Sequence, residues 1–162
     1  MLFFKKKEKP VEAPKQPVAE PINQTRKVEK FNIAGTSFRE ADIIKNFAEA
    51  NDDYKLTAKQ LKEDFEGERV YKYDFLTAVP ELRPEPDNEY DPNAIAVYSD
   101  GIQIGYVKKG STSHLRNVLE NRKVVSMKLN ITGGDYKYVS DDGIDKVESN
   151  IHADLVITHE EK

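Results

Sequence analysis

From Val124 to Thr132 the chain places Val125, Met127, Leu129 and Ile131 at strict two-residue spacing. Successive side chains of a strand point to opposite faces, so this pattern suits a strand with one buried face and not a helix. Similar short runs recur: Val70–Phe75, Leu76–Leu82, Ala94–Tyr98, Ile102–Val107, Tyr136–Val139 and Ala153–Thr158. Turn signals separate them at Asp100-Gly101, Gly133-Gly134 and Asp142-Gly143, where residues that tolerate positive φ let adjacent strands reverse. Many short strands at close spacing predict a mainly β domain of α+β class, a small barrel or curled sheet. Strands do not alternate with helices, and no Gly-rich phosphate loop follows a strand, which argues against a doubly wound fold.

About three helices are expected beside the strands. Arg39–Asn51 gathers Ile43, Ile44, Phe47 and Ala48 on one face. Thr57 and Gln60 form a capping box ahead of Leu61 and Phe65, with Gly67 as the stop. Ser111–Arg122, opened by a serine or threonine cap, turns Leu115, Val118 and Leu119 inward. Ahead of these, Phe31–Phe38 reads as a strand. Residues 1–30 carry Pro10, Pro14, Pro17 and Pro21 in a run of Lys, Glu, Gln and Ala. They are read as a disordered tail, and residues 31–160 as a domain that folds without them. Ile33, Ile95, Val97, Ile104, Val107, Leu129 and Ile131 are its expected shared core.

Composition narrows the chemistry. The 162 residues contain no cysteine, so disulfides, zinc–thiolate sites and cysteine nucleophiles are excluded. No apolar run reaches the ~18 residues of a membrane span. Met1–Phe4 is apolar but precedes Lys5–Lys7, the reverse of a signal peptide, and a cytoplasmic location is expected. His114, His152 and His159 lie in no recognisable catalytic motif and read as surface or partly buried side chains. No carboxylate pair stands out, so no catalytic site and no enzyme activity are expected. An EF-hand count from Asp87 puts Pro92 at the position that needs Gly and Tyr98 at the one that needs Glu, so no metal and no cofactor are expected.

Two neighbouring stretches remain. Pro84–Ile95 holds three prolines, two asparagines and four acids. Proline fixes φ, so this is a stiff loop, either a structural turn or a recognition loop that orders little on binding. From Gln103 to Lys128 come Lys108, Lys109, Arg116, Arg122, Lys123 and Lys128 against Glu120 alone, in a chain of net charge -4. That segment is either a solvated helix face or a track for phosphates. Stacking aromatics beside a basic track is how single strands are held.

The residues Gly35-Thr36-Ser37-Phe38, then Pro84–Val97 with Tyr90-Asp91-Pro92-Asn93-Ala94-Ile95, then Ile104-Gly105-Tyr106-Val107 resemble the HIRAN domain from about Phe31 to about Ile131. The resemblance implies a small OB-like β-barrel with added helices that grips the 3′ end of single-stranded DNA, in repair or at stalled replication forks. Larger relatives fuse it to a helicase-like motor; this chain is similar to stand-alone bacterial or phage copies, acting as a monomer with a helicase or repair protein as possible partner. By resemblance Tyr90 stacks on the terminal base and Asp91 accepts from the 3′ hydroxyl. Phe38 stands near a family tyrosine, Tyr106 where some relatives have histidine, and Lys108 and Lys109 where basic residues lie near phosphate. Arg116 joins this set from the basic segment. Two departures stand out: Ser37 replaces an arginine of animal relatives, and Ala41–Tyr71 is longer. The competing reading is a protein-interaction adaptor using the same stiff loop.

Overall fold

Alternating apolar residues and glycine turns build most of this molecule from antiparallel strands; the computed structural model describes residues 25–162. Strand β1 (Lys27–Ala34) buries Phe31 and Ile33. It begins four residues before the expected boundary, so residues 27–30 belong to the sheet; of the remaining expected tail, residues 1–24 lie outside the described residues. Gly35, at φ 81°, then turns the chain into a short 3-10 helix, Thr36–Arg39. Phe38 therefore sits on a turn and not at the end of a strand. Thr36 Oγ1 donates to Ile151 O at 2.8 Å and fixes that turn on the neighbouring chain.

Helix α1 (Glu40–Phe47) buries Ile43 and Phe47. It stops before the expected Asn51 because Ala48–Ala50 forms strand β2, and Asn51 N–H donates to Lys72 O. Pairing with a distant segment here outweighs local helix propensity. Helix α2 (Ala58–Phe65) starts at the Thr57–Gln60 capping box, with both reciprocal bonds formed. The run Val70–Phe75 divides at Lys72 into β3 (Arg69–Tyr71) and β4 (Tyr73–Phe75), and β4 pairs with β2.

Then follow β5 (Glu81–Pro84), β6 (Ile95–Ser99), β7 (Ile102–Val107), α3 (Thr112–Asn121), β8 (Arg122–Gly133), β9 (Tyr136–Ser140), β10 (Gly143–Val147) and β11 (Ile151–Glu161). The β6–β7 hairpin turns at Asp100 and Gly101, both at positive φ, 49° and 75°. This is the pair of conformations a two-residue hairpin turn requires. Ser111 occupies the cap position of α3 without a capping side-chain bond; Thr112 Oγ1 donates instead to Lys109 O at 3.1 Å.

Six strands form the main sheet in the order β5-β6-β7-β1-β11-β8, each neighbour antiparallel. A second sheet, β10-β9-β3, packs Val70 and Val139 against Leu61 of α2. The main sheet curls but its edge strands do not pair, so the barrel is open. Residues between β4 and β5 stitch the gap: Ala78 exchanges two backbone bonds with Leu129 of β8, and Ser99 Oγ of β6 donates to Val79 O. Where β7 pairs with the end of β1, the two backbones approach closely at Gly105. A Cβ at Gly105 would lie 2.3 Å from Ala34 O, so only glycine allows that approach.

All seven expected core residues lie in one cluster with Ile43, Phe47, Leu115, Val118, Leu155 and Ile157. Burying each such side chain contributes about 1.5–3 kcal/mol. Two assignments differ. Leu119 is exposed, and Val125 is exposed while Val124 packs on the core. The cause at Val125 is a bulge: opposite Thr158/His159 the β8–β11 register shifts, so Val124 and not Val125 pairs with His159. One extra residue reverses the phase of the alternation.

Candidate nucleic-acid interface

The loop between β5 and β6 is closed at its neck, where Glu85 N–H donates to Ala94 O at 2.9 Å. Within it Asn88 N–H donates to Glu85 O, and Ala94 N–H to Asp91 O. Side chains hold the tip. Asn88 Oδ1 accepts the N–H of Tyr90 at 2.9 Å and of Asp91 at 3.0 Å, and Asp91 Oδ1 accepts Asn93 N–H at 2.9 Å. Asparagine and aspartate bonding to backbone two or three residues on is the physical basis of such turns. The outcome is a tyrosine ring held 91% exposed at Tyr90.

Tyr90, Asp91, Tyr106 and Lys109 line one cavity of about 530 Å³, together with Asn88 and Ala34. Its walls combine apolar surface with a carboxylate and an ammonium, the mixture a nucleotide calls for. Lys108 and Lys109 stand exposed where β7 passes toward α3; Lys108 N–H donates to Asn32 O, which fixes their backbone. Phe38, also 91% exposed, lies on the 3-10 turn just beyond Ala34 and does not line the cavity.

Two expected site residues are occupied with the loop itself. Tyr106 Oη donates to Glu85 Oε1 at 2.9 Å. Arg116, reaching from α3, donates through a terminal nitrogen to Asn93 O at 3.1 Å and does not line the cavity. Glu85, Asn88 and Asn93 were given no roles from sequence, although an asparagine two residues before an exposed aromatic is the signal that marks Asn88. The long segment Ala41–Tyr71 contributes no residue to the cavity wall.

The cations of the basic segment also differ in their pairing. Arg122 pairs with Glu161 at 3.1 Å and Lys123 with Glu160 at 3.6 Å, at the start of β8. A second cavity there, about 550 Å³ and lined by Arg26, Lys27 and Arg122, is walled by cations already paired with Glu160, Glu29 and Glu161. Among the described residues no group of three or more His, Asp or Glu is arranged to hold a metal. No described helix is long and apolar enough to cross a membrane.

An open, curled antiparallel sheet presenting an exposed tyrosine, a carboxylate and lysines around one cavity defines a β-sheet binding module. The HIRAN domain family model matches residues 29–142, and the chain belongs to that family. HIRAN domains bind DNA, which is consistent with a nucleic-acid partner. Comparison with curated proteins and with solved structures finds no match.

Proposed function

We propose that the protein binds the 3′ end of single-stranded DNA at the Tyr90–Asp91 cavity, as a monomeric binding module without chemistry of its own. The observation that supports this best is that a loop with an internally hydrogen-bonded tip sets Tyr90 and Asp91 around one cavity with Lys109, which follows β7. Tyr90 stacks on the terminal base, and Phe38 offers a second ring nearby. Asp91 accepts from the terminal hydroxyl, a bond strengthened by its charge. Lys108 and Lys109 follow the phosphates. The context is repair or replication in the cytoplasm, with a helicase or repair protein as the acting partner.

The test is a titration of the protein with single-stranded oligonucleotides whose 3′ hydroxyl is free or blocked. Tighter binding of the free end is expected, and Asp91→Ala should abolish that preference while leaving internal binding nearly intact. Equal binding of both ends by the wild type removes the end-recognition claim. No binding at low salt transfers the loop to a protein partner.

A further inference from the structure

Resting on that reading, we propose that Glu85, which does not line the cavity, is the positioning residue that sets Tyr90 and Asp91 for the DNA end. The loop tip has no strand ladder to hold it. Its two functional residues are oriented through their own N–H groups, both bonded to Asn88 Oδ1. That amide holds its direction only if its other end is fixed, and Asn88 Nδ2 donates to Glu85 Oε1 at 3.3 Å. Glu85 is fixed in turn from the sheet, because Tyr106 Oη donates to the same oxygen at 2.9 Å and to Oε2 at 3.3 Å. A continuous path thus runs from β7, whose Ile104, Gly105 and Val107 are buried, through Glu85 and Asn88 to the backbone of the recognition residues. Glu85 and Asn88 are both half-buried, where competition from water is reduced.

The geometry makes a chemical distinction. Both anchoring donors reach Oε1, so a neutral amide at position 85 can still accept both, whereas alanine accepts neither. Glu85→Ala should release the tip: backbone order parameters of Tyr90 and Asp91 fall from about 0.85 toward 0.6 or below. Affinity for free 3′ ends should drop roughly tenfold, because the tip must now be ordered on binding. The preference for free over blocked ends should collapse, while the salt dependence stays unchanged because no phosphate contact is lost. Glu85→Gln should restore order and preference alike. Tyr106→Phe, which keeps the ring, should reproduce most of the Glu85→Ala effect and add nothing to it in the double variant.

A purely structural role would lower the melting temperature without changing the ratio of free-end to blocked-end affinity. The proposal is overturned by unchanged order parameters in Glu85→Ala, by additive effects of the two substitutions, or by Glu85→Gln behaving like Glu85→Ala. Should Glu85→Ala not fold, Tyr106→Phe alone decides through the same order parameters. Should the wild type bind no single strand, the DNA-end reading falls while the order parameters still judge the role of Glu85.

Discussion

Tyr90 owes its exposure to bonds made by other residues, since its ring packs on little and its N–H is held by Asn88. Tyr90→Ala should therefore leave the melting temperature unchanged and remove stacking worth about 1–3 kcal/mol from single-strand binding, with little dependence on base sequence. Fluorescence anisotropy on several homopolymers would show it; a loss confined to one base would mean edge recognition instead. Glu29, at the far end of β1, is the opposite kind of residue. Its Oε1 lies 2.9 Å from buried His159 Nε2, Oε2 bonds to His114 on α3, and Lys27 Nζ approaches at 3.3 Å. His159 is thus more deeply buried than expected. Burial pushes the Glu29 carboxyl up, but hydrogen bonds from His159, His114 and Lys27 prevail and hold it at about 2, against an ordinary 4.5. A depressed carboxylate pKa stabilises the fold above the unfolded value, and that contribution is lost as pH falls through the folded one. Glu29→Gln should be less stable than wild type at pH 7. The difference should shrink between pH 4.5 and 2, as measured by denaturant unfolding; a constant difference across that window would refute this account.

Among the elements, β1 carries the clearest consequence. Lys27 through Ile33 pair with His159 through Ala153, so the first residues of this strand, Glu29 among them, hold β11. A chain starting at Lys30 should lose about 2 kcal/mol, or roughly 4–8 °C of melting temperature, relative to one starting at Thr25. Equal midpoints would show that residues 27–29 add nothing to the sheet. Where an element's limits depend on its own sequence, they were legible: the α2 capping box and the Asp100-Gly101 turn form as their residue types require. Where they depend on a partner they were not. α1 ends where β2 meets β4, and the run Val70–Phe75 is divided between two sheets.

Across the whole molecule, folding sorts the charges. The chain's net charge is -4, and Lys108 and Lys109 stand at the loop end while Arg122 and Lys123 are tied to Glu161 and Glu160. Lys108→Ala with Lys109→Ala should weaken single-strand binding and flatten its salt dependence, each lysine accounting for about 0.7 released counterions. Arg122→Ala with Lys123→Ala should leave both unchanged. Binding isotherms at several salt concentrations separate the two pairs, and an equal effect from both would mean that overall charge, not the loop end, attracts DNA.

The sequence by itself determined what acts over a few residues. It specified the strand periodicity, the helix cap, the tight turns, the seven core residues and the Tyr90-Asp91 motif that marks the family. Each follows from backbone preferences and side-chain reach within about one turn. Only the tertiary structure decided which strands pair, where the β8 bulge reverses Val124 and Val125, why His159 is buried, and that Tyr106 and Arg116 hold the β5–β6 loop. These depend on groups far apart in the chain, Glu29 and His159 being 130 residues apart. Such contacts exist only once the curled sheet has brought their strands together, so no local pattern encodes them.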